Sequence, residues 1–190
     1  MKYFKNIFAR KLGGFTLVES MVAISILSLA VTAPLLIAQK GIGAAIYSRD
    51  QITAFYLAQE AVEYVRNVRD TNRITGEWWL AHFSPCQPYV AGGGCDTING
   101  NFRIDAKYRD FTTANAIVPC SGACPVLQYD PNDNLYTYSA GSPTQFTRTI
   151  TLDNTAGGGK EVLVSVTISW TTALFAPQRT FAVKEYIFNF

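Results

Sequence analysis

The arrangement of apolar and polar positions divides this chain into three regimes. From Phe15 to Ala38 the residues are almost continuously apolar, and Glu19 is the single ionisable side chain among them. Written as a helix, those 24 residues extend roughly 36 Å, enough to cross a hydrocarbon layer about 30 Å thick. From Ala44 to about Asp70 the helical period continues but becomes amphipathic. Ala54, Phe55, Ala58, Ala61, Val62, Val65 and Val68 fall on one stripe, with Gln59, Glu60, Glu63, Arg66 and Asn67 on the wetter side. Glu63 and Arg66 have the i,i+3 spacing of a helical ion pair. Beyond Asp70 this period is lost.

Order returns near the C-terminus with a period of two. Val162, Val164, Val166, Ile168 and Trp170 alternate with Ser165, Thr167 and Ser169, the signature of a strand with one buried face. Thr147 to Leu152 and Phe181 to Phe188 predict two further strands, separated by turns at Gly157-Gly158-Gly159 and Pro177. Three such strands make an antiparallel meander whose apolar side covers the helix stripe. The expected class is therefore α+β: a long N-terminal α-helix, membrane-spanning and then amphipathic, packed against a C-terminal antiparallel β-meander.

Glu19 is the anomaly in the apolar run, because a carboxylate in hydrocarbon is costly and ordinarily faces a partner. A cut between Gly14 and Phe15 would create an α-amine close to it, and a like subunit shifted along the helix axis would offer that amine to this carboxylate. Gly14 followed by Phe15-Thr16-Leu17-Val18-Glu19, after a short leader with Lys2, Lys5, Arg10 and Lys11, resembles the prepilin N-terminal signal of type IV pilins and type II secretion pseudopilins. The resemblance implies a type IV pilin-like fold, cleavage after Gly14 by a prepilin peptidase, and methylation of the amine of Phe15. It also implies that Glu19 governs methylation or pairs with a neighbour's amine during assembly. Other pilin or pseudopilin subunits and an inner-membrane assembly platform are the further partners it implies.

On this reading residues 1–14 are a cytoplasmic leader and 15–40 a transmembrane and assembly helix. Residues 41–72 continue it as an amphipathic helix, and 73–190 form the exported head, with cysteine-bearing loops in 73–143 and the sheet in 144–190. The leader's basic residues place the N-terminus in the cytoplasm, so the precursor sits in the bacterial inner membrane, in contact with its lipid, and carries the head outside. A secretory signal peptide has a shorter apolar run with its cleavage site after that run, which does not fit.

Pro34 removes a helix hydrogen bond and is expected to kink or loosen its turn, as members of the resembled family bend or partly melt there in a fibre. Gly41 and Gly43 add a second soft point. Ser25, Ser28 and Thr32 share a helix face, where their hydroxyls serve either neighbouring helices or their own backbone. The sequence at both ends of the head also resembles PilV-type minor pilins and I-type minor pseudopilins: Ala54-Phe55-Tyr56-Leu57-Ala58-Gln59-Glu60-Ala61, and the Val-rich strand ending at Ser169-Trp170 before a last strand.

The formal charge of +2 comes from the leader: without its four basic residues, 12 Lys and Arg face 14 Asp and Glu, for −2. No basic run follows Arg10-Lys11, so direct nucleic-acid binding is not expected. Four cysteines, Cys86, Cys95, Cys120 and Cys124, lie in the exported part, where an oxidising compartment favours disulfides. Pairing of nearest neighbours closes two short Gly-containing loops; a four-thiolate zinc site is the rival, weakened by the wide gap between Cys86 and Cys95.

Asp130-Pro131-Asn132-Asp133-Asn134 collects hard oxygen donors of the kind calcium takes, but lacks a full calcium-loop pattern and consists of ordinary turn formers. The Trp78-Trp79 pair supplies either a contact surface or core, with at least one ring expected inside. His82 is the only histidine and has no catalytic motif around it, and no nucleophile elbow or catalytic metal spacing occurs in the exported part. Catalytic, cofactor-binding and metal-binding residues are accordingly not expected.

Overall fold

A computed structural model describes residues 13–83, 98–154, 159–171 and 177–189. Two compact units divide it, Met1–Ala45 and Ile46–Phe190. Helix α1 (Leu17–Thr75) begins in the first and ends in the second.

In the first unit α1 is the only regular element among the described residues, and its apolar side chains are exposed. The helix passes through Pro34 without interruption.

In the second unit α1 buries Ala54, Leu57, Ala58, Ala61, Val62, Val65 and Val68. Six of these seven were expected on the stripe or lie beside it; Leu57 takes the place predicted for Phe55, which stays 41% exposed. Alanine at three of the positions lets the helix lie close on the sheet, while valine and leucine supply most of the apolar area. The helix stops at Gly76, whose φ of +79° is open to glycine. There the Gly76 N–H bonds to Arg73 O and the Glu77 N–H to Asn72 O at 2.8 Å, the paired bonds of a Schellman cap.

A 3₁₀ turn (Ala81–Phe83) leads toward a seven-stranded antiparallel sheet: β1 (Asn99–Ile104), β2 (Ile117–Pro119), β3 (Val126–Asp130), β4 (Leu135–Thr137), β5 (Ser142–Asp153), β6 (Glu161–Trp170) and β7 (Arg179–Phe188). The long strand β5 organises it. One edge of β5 pairs with β6, from Thr147 opposite Ser169 to Asp153 opposite Leu163. Its other edge is shared by β1 and β3, which carry β2 and β4 respectively. Strand β7 pairs with β6 along its full length and has no second partner among the described residues.

The predicted meander is thus present as β5-β6-β7, with the β6 boundaries that the alternation predicts. Within the cysteine-bearing part, four described segments, β1 to β4, extend that same sheet. Phe146, Ile150, Leu152, Val162, Val164, Val166, Ile168 and Trp170 form the sheet side of the core, opposite the helix stripe. A long N-terminal helix packed on a C-terminal antiparallel sheet is the α+β architecture expected above.

Candidate functional site

The segment that carries the predicted processing chemistry is built by the start of α1. Gly13 to Thr16 are not helical, and Phe15 is 79% exposed. Thr16 caps the helix: its Oγ1 accepts from the Glu19 N–H at 3.2 Å, and its carbonyl accepts the first helical bond from Ser20 N–H at 3.1 Å. Threonine followed three residues later by glutamate is the capping-box spacing, a local signal that the sequence reading passed over. Glu19 therefore lies in the first turn, where the helix dipole favours a negative charge. Glu19 is exposed, as are Gly14 and Phe15 near it. A Cβ at Gly14 would meet nothing within 4 Å, so packing inside this chain does not require glycine there.

Residues 10–33 match the family model described as the prokaryotic N-terminal methylation motif.

The chain therefore carries a prepilin-type methylation motif, consistent with the type IV pilin and pseudopilin superfamily. No curated protein and no solved structure gives a significant match. The motif ends just before Pro34 and leaves the head unassigned.

Within the apolar part of α1, the Ser25 hydroxyl donates to Met21 O at 2.8 Å and that of Thr32 to Ser28 O at 2.7 Å. The Ser25 and Thr32 hydroxyls on this face are thus satisfied by their own helix, which lowers the cost of burying them against lipid or another helix. Pro34 has no N–H to offer the preceding turn. By length and composition the segment is apolar enough to span a membrane, and none of its most apolar window is buried in the chain.

In the head, Cys120 and Cys124 form a disulfide with Cα atoms 5.3 Å apart. The Cys120 N–H donates to Asn101 O at 2.8 Å, so the clamp closes a small loop against β1. Cys86 and Cys95 lie outside the described residues. The Asp130–Asn134 string is a turn between β3 and β4: an Asp130 carboxylate oxygen accepts from the Asn132 N–H at 3.0 Å, and Asn134 takes φ +53°. Lys107 Nζ lies 3.3 Å from Asp130 and 2.8 Å from Asp133. The ammonium neutralises the place that a calcium ion would need. The Asn132 N–H bond, followed by Lys107, holds the Asp130 carboxyl below its ordinary range, and the two carboxylates raise Lys107. Among the described residues no three His, Cys, Asp or Glu side chains gather as a metal site.

Sequence reasoning missed the polar group that ties α1 to the sheet. Arg148, on the inward side of β5, is fully buried. Its guanidinium donates to Glu60 Oε2 at 2.5 Å, to Ile104 O at 2.6 Å and to Leu57 O at 3.3 Å. One side chain therefore joins helix, β1 and β5. A signal was present: Phe146, Arg148, Ile150 and Leu152 share one side of the alternation, with a cation among apolar neighbours. Beside it, buried Asp105 accepts from the Thr137 hydroxyl at 2.8 Å and the Tyr138 N–H at 3.0 Å. Tyr64 donates to Tyr108 O at 3.0 Å; burial, then the negative charges of Asp105 and Asp110, push its phenol up to about 12.

Trp79 is buried in the core and Trp78 packs partly against it, so one ring is inside as expected. His82 is half-buried in the 3₁₀ turn with Nε2 3.6 Å from Glu77. The described residues thus comprise a packed head and an exposed apolar helical segment.

Proposed function

We propose that this chain is a noncatalytic structural subunit, of the minor kind, of a type IV pilus or related filament. One observation carries the proposal: a methylation motif over residues 10–33 covers the start of a helix whose apolar N-terminal part this chain leaves uncovered. A long apolar surface of this kind needs lipid or other helices around it. In the membrane precursor lipid meets that need, and in the filament a bundle of like helices does.

The processing that follows from this reading removes residues 1–14 after Gly14 and methylates the new amine on Phe15. Glu19 then sets register by pairing with the Phe15 amine of a neighbouring subunit, and Pro34 softens α1 for packing. Residues 15–40 are the anchor and assembly helix, 41–72 connect it to the head, and 73–190 complete the head outside the cytoplasmic membrane. Prepilin peptidase, an inner-membrane assembly platform and other pilin subunits are the partners. The same features support a minor pseudopilin of a type II secretion system, where the polymer drives export; loss of secreted proteins rather than of surface filaments on deletion distinguishes it.

Intact mass and N-terminal sequence of the protein from its native membrane test the proposal. Wild type is expected to begin at N-methyl-Phe15, with cleavage impaired in Gly14→Ala and methylation or filament incorporation impaired in Glu19→Ala. An uncut chain in cells with an active prepilin peptidase would overturn the proposal.

A further inference from the structure

The open side of β7 and the helix beside it have complementary deficits. The Asn189 N–H bonds to Lys160 O at 2.8 Å, and the β6–β7 register places Glu161 opposite Phe188. Because hydrogen-bonded and non-bonded pairs alternate in an antiparallel ladder, Phe181, Val183, Glu185 and Ile187 direct their backbone groups toward β6. Thr180, Ala182, Lys184, Tyr186 and Phe188 direct theirs away from it. That edge has no partner among the described residues.

Next to this edge runs a groove of about 540 Å³ between β7 and α1. Its apolar lining is Phe55, Tyr56, Val62 and Val183. Phe55 and Tyr56 are 41% and 64% exposed, although Phe55 belongs to the stripe that otherwise faces the sheet. Phe55 meets Phe181 of β7 edge-on with ring centroids 5.9 Å apart, and its outer side and Tyr56 stay uncovered beyond the last strand.

Charge narrows what fits. Glu60 is paired with Arg148, whereas Glu63 and Glu185 share the single Arg66, leaving one carboxylate charge in excess. Glu63 keeps 72% of its side chain in water beside Arg66, where an incoming cation can reach it. Lys184 sits in the middle of the open edge, so a second β7 pairing centred on it would bring two ammonium groups together.

We propose that β7 is an acceptor edge for an extended strand from a different protein. The strand adds to Thr180–Phe188 through backbone hydrogen bonds, its inward apolar side chains cover Phe55 and Tyr56, and an inward Lys or Arg meets Glu63. Strand addition of this kind draws affinity from the backbone and specificity from the alternate side chains.

The test uses the full chain in detergent micelles with a synthetic peptide of alternating valine and threonine, about as long as β7, with one central valine replaced by lysine. Amide hydrogen exchange is expected to slow about tenfold or more at Ala182, Lys184 and Tyr186 on peptide addition, and to stay unchanged at Val183 and Glu185. Lys184→Pro removes one outward N–H without touching the β6 ladder and is expected to abolish the protection. Glu63→Arg is expected to weaken the lysine peptide and to favour one with glutamate in its place, a charge swap that does not depend on the proline variant folding. Outward amides already as slow as inward ones without peptide would overturn the proposal. So would protection that grows with protein concentration alone, since the occupant would then be a second copy, and so would a peptide that protects neither set.

Discussion

Arg148 shows how much a single residue decides. A guanidinium taken fully out of water needs partners for its donors; here Glu60 and two main-chain carbonyls take its two terminal nitrogens, while the buried Nε–H has no partner. Removing it strips three acceptors of a partner at the point where helix and sheet meet. Arg148→Ala is expected to destabilise the head by about 3 kcal/mol, the low end for a broken buried pair because Glu60 keeps a third of its side chain in water. Arg148→Met combined with Glu60→Leu is expected to recover most of that loss, since a well-packed apolar pair has no charge to desolvate. Urea unfolding followed by the fluorescence of buried Trp79 and Trp170 measures both. The inward position of Arg148 was readable from the alternation of β5; its three acceptors were not, because they come from segments 44 to 91 residues away.

At the scale of elements, the legibility of each strand follows its length and regularity. Strands β5, β6 and β7, ten to twelve residues long, repeat their pattern often enough to be seen. Strands β2 and β4 have three residues each, and β1 opens on Asn-Gly-Asn, which by itself reads as a turn. They are strands because β5 offers β1 an edge, and β1 and β3 in turn offer theirs to β2 and β4. The turn that aligns β3 with β5 depends on Gly141, at φ +104°. A Cβ there would sit 2.2 Å from the carbonyl oxygen of Tyr129 and 2.8 Å from the backbone nitrogen of Asp130. Gly141→Ala combines left-handed strain with a clash against main chain, which cannot rotate away. It is expected to cost about 2 kcal/mol or more, read as a lower urea midpoint and faster exchange of the β3 amides.

For the whole molecule, the two units rest on different physics. The head has a continuous core from Ala54 to Ile187, and its first buried residue is Asp50. Among its described residues the N-terminal unit buries no apolar side chain, and its apolar surface is complete only in a bilayer or among other helices. A chain beginning at Ile46 is therefore expected to remain soluble without detergent, with its tryptophan emission unchanged and its unfolding free energy within about 0.5 kcal/mol of the head in the full chain. Aggregation or loss of the folded emission would show that the N-terminal unit contributes to the core after all.

The sequence alone determined what depends on neighbours along the chain: the motif around Gly14 to Glu19, the uninterrupted apolar run, the helical stripe and the period-two strands. Each is a local pattern whose meaning survives without knowing the fold. Tertiary structure alone decided which stripe residues are covered, exchanging Phe55 for Leu57, and it placed Lys107 between Asp130 and Asp133. It also gathered β1 to β4 into the sheet and left the far edge of β7 open among the described residues. Those outcomes depend on which distant segment arrives at a surface, and hydrophobic burial and charge pairing settle that only when the chain closes on itself.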